Sequence, residues 1–426
     1  MFVKLKAGYN EYPKSFKVLT LATFIDQLGT FILFPFFAIY ITNRFNVGMT
    51  EVGIILSMFS AGGIFGGVFG GALADKYGRR TILLIGLIVS GIGNILLGLV
   101  DNLIMICILA SLLGLIGNLG GPARQAMVAD LLPKEKTTEG FGVLRVAFNL
   151  SATIGPVFGG LLAEHSFMLL FIADATFSFI TGLIVLLVIP ETKPEKLDDK
   201  PEESVLKTII GYKEVLKDWV YMLFLSVSMV MVIVYIQMNS TLSYFLSEYH
   251  NFPLESFGLL LSMNAIMVVI FQFWIAKKVS KYDPMKMMVF GTLFYMIGFG
   301  MYGFVSEAYL FFIAMAIITI GEMIVTPIGT SAAALFAPED KRGRYMAMFG
   351  FSWAIPNLFG ITIAGLVMDH IGPNWVWYFA GILCIITMIG FWLLRGVAKA
   401  RFSKEKALLK IKLEEKQVKF STSETS

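Results

Sequence analysis

The chain has 426 residues, of which 57% are apolar and only 15% charged, and its mean hydropathy is +0.76. A soluble domain is roughly 45–50% apolar, so this composition excludes an ordinary water-soluble fold and points to a protein that crosses a membrane many times. The formal net charge of +4 is not a nucleic-acid signal, because the basic residues are dispersed among the connections between apolar stretches, where they act as topology determinants.

Lys4, Lys6, Lys14 and Lys17 precede a full-length apolar span with no small-residue cleavage site, which reads as an uncleaved first helix rather than a signal peptide. Stretches of about 20 apolar residues or more suffice to cross ~30 Å of hydrocarbon as helix. They occur at 18–42, 52–74, 81–100, 104–131, 141–163 and 167–189, and again at 219–246, 254–276, 286–306, 309–336, 345–368 and 375–394. With twelve spans drawn, 31 of the 34 lysines and arginines fall on one side; the opposite connections hold Arg44, and Arg124 and Arg145 lie within spans. By the positive-inside rule both termini are cytoplasmic, and His165, His250 and His370 lie in outer connections. Cys107 and Cys384 both lie in spans, which argues against a disulfide framework or a metal cluster.

The chain repeats itself at an offset of 205 residues: Gly53, Ser57 and Met58 align with Gly258, Ser262 and Met263, Lys76 and Tyr77 with Lys281 and Tyr282, Pro122 and Pro133 with Pro327 and Pro338, Lys136 with Lys341, and His165 with His370. Six spans per copy is an even number, so both copies enter from the same side and the halves are parallel repeats. The expected organisation is an N-terminal six-helix bundle at 1–189, a cytoplasmic linker rich in Pro, Glu and Lys at 190–217, a second bundle at 218–394, and a basic amphipathic tail at 395–426 suited to the anionic inner leaflet.

Between the second and third spans the chain reads Gly71, Ala72, Leu73, Ala74, Asp75, Lys76, Tyr77, Gly78, Arg79, Arg80. The two glycines allow close approach and an abrupt turn, and Asp75 can face a helix N-terminus or a basic side chain. This run resembles the G-x-L-A-D-[RK]-x-G-R-[RK] signature of the major facilitator superfamily, as do the two parallel halves, with a degraded copy at 277–286. The resemblance implies an all-α membrane fold of twelve transmembrane helices that usually works as a monomer. It also implies a cytoplasmic charge latch in the outward-facing state, with Asp130 as partner for an arginine. The fifth span carries Gly155, Pro156, Gly159 and Gly160, which resembles the G-P-x-x-G-G element of drug/proton antiporters; Gly and Pro there kink the helix or admit a close neighbour.

No Walker A motif occurs, so the expected energy source is an ion gradient, with no cofactor and no metal. Ionisable residues at membrane depth are functional candidates by default. They are Glu322 in the tenth span, whose setting is similar to helix 10 of proton-driven multidrug exporters, Asp26 beside Gln27 in the first, Asp174 in the sixth and Arg145 in the fifth. An acid in apolar surroundings can carry a proton between the two sides. Related exporters place an acid where this chain has Arg145, which is free to pair with Asp26 or with an anionic part of a substrate. The binding cavity is expected near the midplane between the halves, where some of the 38 Phe and 23 Met suit bulky apolar ligands.

The reading is therefore a proton-coupled exporter of lipophilic, cationic compounds in a bacterial or archaeal inner membrane. Its partners are a small lipophilic substrate, protons and membrane lipids, with no nucleic acid. The alternatives are a transporter for a specific metabolite such as a sugar, amino acid or lipid, and a non-transporting receptor on the same fold. No nucleophile–base pair or metal-ligand cluster marks an enzyme.

Overall fold

The computed structural model describes residues 12–133, 136–193, 213–338 and 341–423, with side chains as far as Phe402. Most of the expected linker, and the side chains of the tail beyond Phe402, lie outside the described residues. Among the described residues twelve helices are long and apolar enough to cross a membrane: α1 Lys14–Phe45, α2 Met49–Tyr77, α3 Arg79–Leu99, α4 Leu103–Leu131, α5 Glu139–His165, α6 Phe167–Val188, α7 Trp219–Asn239, α8 Leu254–Val279, α9 Pro284–Tyr302, α10 Ala308–Phe336, α11 Gly343–His370 and α12 Trp375–Phe402. The last belongs to a continuous helix, Trp375–Ser423. Large apolar side chains such as Phe65, Val68, Ile104, Phe273 and Trp392 point outward from the helices, as an apolar solvent requires of a surface with no water to exclude.

Local chemistry sets the irregularities. Pro35 tightens α1 into a 3₁₀ turn at Phe34–Phe36, and the helix stops where Asn46 turns left-handed (φ 51°). The predicted fourth span is two helical pieces, Leu103–Gly117 and Gly120–Leu131. Gly117, Asn118, Gly120 and Gly121 at this break line a cavity, the one setting in which irregular backbone is tolerated at membrane depth.

In the first half α1 packs on α5 and α6, α2 on α4, and α3 on α6; in the second α9 packs on α10 and α12, and α7 on α11 and α12. The halves meet through two helix pairs, α2 with α11 and α5 with α8, and this seam repeats the 205-residue offset. A Cβ on Gly53 would overlap the backbone at Thr362, and its counterpart on Gly258 would overlap Pro156 near Val157. Gly160 meets Leu254 and Glu255 just as Gly365 meets Met49 and Thr50. Without side chains at these four positions the helix backbones touch, which is how packing joins helices where hydrophobicity cannot.

Every one of these contacts falls in the part of the helix remote from the termini. Two carboxylates complete the seam. Asp369 at the end of α11 accepts from the Met49 and Thr50 backbone N–H groups (3.1 and 2.8 Å) and the Thr50 hydroxyl (2.7 Å), capping α2 from the opposite half. Its repeat partner Glu164, at the end of α5, accepts from the Glu255 N–H at the start of α8 (3.4 Å). Nearer the terminal face, Gly142 on α5 and Gly343 and Gly350 on α11 have open space where a Cβ would stand. Among the described residues the protein is thus clasped at the face far from its termini, and contacts between its halves thin out toward the face that carries them.

Candidate functional site

The first half encloses a cavity of about 460 Å³. Asp26, Gln27 and Thr30 reach it from α1, Asn94 and Ser90 from α3, Arg124 from α4 and Asp174 from α6. Asp26 Oδ2 lies 2.5 Å from Arg124, both side chains being less than a fifth exposed. This corrects the expectation that Arg145 pairs with Asp26: Arg145 is exposed on α5. The signal for Arg124 was present, since it is one of two basic residues inside a span, but its partner lies 98 positions away. Asp174 is 4% exposed, accepts a hydrogen bond from the Asn94 amide, and has no Lys or Arg in ion-pair contact among the described residues. Gly29 makes room for it, because a Cβ there would stand 2.6 Å from Asp174 Oδ1.

In the second half Glu322 is held by neutral donors. The Tyr235 hydroxyl on α7 and the Asn264 amide on α8 each donate to its carboxylate at 2.9 Å, and the same amide donates to Thr319 one turn earlier, also at 2.9 Å. Tyr235 is fixed in turn by Tyr295 and Trp353, at ring-centroid distances of 5.9 and 5.7 Å. No Lys or Arg lies within ion-pair distance of Glu322 among the described residues, although the Arg145 guanidinium on α5 is close enough for its charge to act on the carboxylate, and the void beside Tyr235 holds only about 20 Å³. Asp26, Gln27 and Asp174 are therefore brought together, whereas Glu322 stands apart in the other half. The cavity of about 460 Å³ is lined by first-half residues alone, not by both halves as expected from the sequence.

At the terminal face Gly78 joins α2 to α3 with φ +105°, and a Cβ on it would collide with the carboxylate of Glu191. Glu191 accepts from the backbone N–H groups of Arg79 (2.8 Å) and Arg80 (3.3 Å), capping α3. Arg79 pairs with Asp130, the partner expected from the sequence, while Asp75 is 71% exposed and stands 3.8 Å from Arg79. Gly71 is loosely packed, with Pro122 at 3.9 Å, and Arg80 donates to the Leu186 carbonyl. In α5 the glycines act by close approach: Gly155 faces Phe31, Gly159 faces Ile32 and Phe36, and Gly160 faces α8 across the seam, with Pro156 alongside Gly258. Glu191, Asp369 and Glu164 were not foreseen.

Twelve membrane-length helices in two like bundles, with charged groups around a cavity at membrane depth, define a multi-pass membrane transporter. The chain belongs to the Major Facilitator Superfamily, whose family model matches residues 19–284 and 236–421. Among curated relatives it is similar to a "Na(+), Li(+), K(+)/H(+) antiporter" of Planococcus maritimus, 24% identical over 404 residues that cover 88% of this chain and 95% of that one. It is also similar to "Multidrug resistance protein MdtH" of Blochmanniella pennsylvanica, 26% identical with 86% and 89% covered. Among solved structures, a mutant of the nucleoside transporter NupG superposes with a TM-score of 0.79 at 14% identity, covering 89% of this chain and 100% of that one. A POT family transporter in complex with 5-aminolevulinic acid gives 0.73 at 17%, covering 91% and 97%; at such identities the likeness is one of fold.

Proposed function

We propose that the protein is a proton-coupled antiporter that exports lipophilic cations across the plasma membrane, with both termini cytoplasmic. The observation that carries this reading is Glu322, an acid at membrane depth whose partners are a tyrosine hydroxyl and an amide rather than a cation. An unpaired carboxylate in hydrocarbon is costly, so a proton is its natural companion, and releasing that proton readies it for the next cycle. With termini inside, the clasped far face corresponds to an inward-open state. Substrate enters from the cytoplasm as Glu322 gives up its proton, the halves rock about the seam, and a proton arriving from outside drives release. In this cycle Asp26 with Arg124 keeps the cavity polar, Arg79 with Asp130 braces α3 against α4 within the first half on the cytoplasmic side, already paired in the inward-open state, and Gly155, Pro156, Gly159 and Gly160 form the pivot. The names of two relatives, an alkali-cation/proton antiporter and a multidrug resistance protein, favour cation–proton exchange.

The test uses purified protein in liposomes, ethidium as substrate and an imposed pH gradient. Wild type is expected to move ethidium against its gradient, Glu322→Gln to lose at least a hundredfold of that flux, and Asp26→Asn to lose less. Full flux in Glu322→Gln sinks the coupling assignment. Absence of flux for several lipophilic cations, with gradient-driven uptake of a sugar or amino acid, moves the reading to a metabolite transporter.

A further inference from the structure

We propose that the two halves divide the work. The cavity of the first half is the binding site for a lipophilic monovalent organic cation, with Asp174 as its counter-ion, while the coupling acid is Glu322 of the second half. This deepens the exporter reading above and rests on it.

The first argument is charge. The cavity wall carries Asp26, Arg124 and Asp174. Arg124 is committed to Asp26, so the pair is neutral, whereas Asp174 meets only the Asn94 amide. Asp174 is the one ionisable group of this wall with no partner of opposite charge among the described residues, and a buried acid so placed stays neutral by holding a proton or by meeting a cation. A monovalent organic cation in the cavity takes the place of that proton. An anion would face two carboxylates and an arginine already engaged.

The second argument is size and surface. About 460 Å³ falls in the usual range of pockets for small organic molecules and far exceeds what a dehydrated alkali ion fills. The same cavity is also lined by Phe31, Phe34 and Phe37 of α1, Phe59 of α2 and Phe148 of α5. Aromatic faces attract organic cations and cannot stand in for the shell of oxygen ligands that a dehydrated inorganic ion needs.

The third argument is the repeat. Positions 205 residues on from Asp26, Asn94, Arg124 and Asp174 are Met231, Phe299, Gly329 and Phe379. The second half therefore has no counterpart to the charged groups of this wall, and Thr30 and Ser90 correspond to Tyr235 and Tyr295, the first of which donates to Glu322 instead. The position equivalent to Glu322 in the first half is Gly117, which lines the cavity and has open space at its Cβ position. One copy has a charged pocket, and the other an acid set apart from a smaller, apolar cavity of about 210 Å³ that Phe379 lines.

Equilibrium binding of radiolabelled tetraphenylphosphonium to the full chain in detergent, with no gradient, reads recognition apart from coupling. This probe has one charge and no hydrogen-bond donor. Asp174→Asn, nearly isosteric, is expected to weaken binding at least tenfold, and Asp174→Glu to restore most of it. Ser90→Phe, which narrows the cavity without changing charge, should weaken tetraphenylphosphonium far more than tetramethylammonium, with melting temperature checked for each variant. Unchanged affinity in Asp174→Asn overturns the proposal, as does equal affinity for neutral triphenylphosphine oxide or saturation by sodium or potassium in place of the organic cation. Wild type that binds the probe but shows no gradient-driven flux breaks the coupling reading and leaves this one standing. Proton-driven flux with undiminished binding in Asp174→Asn does the reverse.

Discussion

The two halves share helix order and packing, yet they treat charge in opposite ways. The first opens a cavity of about 460 Å³ around Asp26, Arg124 and Asp174, whereas the second holds Glu322 between Tyr235 and Asn264 beside a void near 20 Å³, and its larger cavity, about 210 Å³ between α7, α11 and α12, has Gln237 as its one polar side chain. Where the first half has Asn94 and Asp174 the second has Phe299 and Phe379, aromatic volume in place of polar groups. Duplication supplies two equal scaffolds, and a handful of substitutions at membrane depth decides which becomes a pocket and which holds an isolated acid. The clasp at the seam has stayed nearly symmetric, because both halves must close on each other.

The sharpest way to break the contrast is to remove the cation from the first half. Arg124→Ala leaves the carboxylate of Asp26 without its partner at less than a fifth exposure, and an uncompensated buried charge costs on the order of 3–5 kcal/mol. The variant should melt well below wild type in detergent. Adding Asp26→Asn should recover most of the loss, since the pair is then removed together. A double variant no more stable than the single one would show that Arg124 acts through other contacts.

At the terminal face the halves differ again. The first is tied by Glu191 capping α3, whereas the second is tied by Asp218 just before α7, which accepts two bonds from Arg401 (2.9 and 2.6 Å) and one from the Tyr345 hydroxyl (2.7 Å). Arg401 also donates to the Phe336 carbonyl at 2.6 Å, so one side chain anchors the extension of α12 to α7, α10 and α11. Burial alone would raise the pKa of Asp218, but the bonds from Arg401, Tyr345 and the Tyr221 N–H outweigh it and hold the carboxyl below its ordinary value. A depressed carboxylate stabilises the fold fully above its unfolded pKa, near 4, and the contribution disappears as pH falls through the folded value. Asp218→Asn should therefore cost about 1–2 kcal/mol at pH 7, and the gap from wild type should shrink once pH drops below about 4. A gap that persists in acid would mean that packing, not ionisation, makes the clamp.

What could be read from sequence divides along the same physical line. The twelve spans, the repeat, the Gly71–Arg80 run and the acids Asp26, Asp174 and Glu322 were legible because run length, periodic identity and a charge inside an apolar stretch are local signals. Arg124 with Asp26, Glu191 with the Arg79 amide, and Asp174 with Asn94 join residues 98, 112 and 80 positions apart, and no local pattern selects one partner over another. The break in α4 at Asn118 and Leu119 was hidden inside a uniformly apolar segment, although three glycines in five residues, Gly117, Gly120 and Gly121, mark it in retrospect. The clasp was nearer to hand. His165 and His370 align in the repeat, and the residues just before them are Glu164 and Asp369, acids at the same place in both copies.

That pair gives the gentlest test of the comparison, because it asks how equal the symmetric parts are. A carboxylate at a helix N-terminus typically contributes 0.3–1 kcal/mol, and here each sits across the seam, so its removal weakens the closed far face without emptying either half. Asp369 makes three bonds to the start of α2, and Glu164 a single long one to the start of α8. Asp369→Asn should shift the balance toward the far-face-open state about fivefold, and Glu164→Gln about twofold or less. With Cys107 and Cys384 replaced by Ala, Ser57→Cys places a thiol on the seam beside Thr362, and its labelling rate by a membrane-impermeant maleimide reports the open fraction. Equal acceleration by the two variants would mean that the clasp is as symmetric in energy as in sequence. No acceleration by either would leave closure to the four glycine contacts, where helix backbones meet with nothing between them.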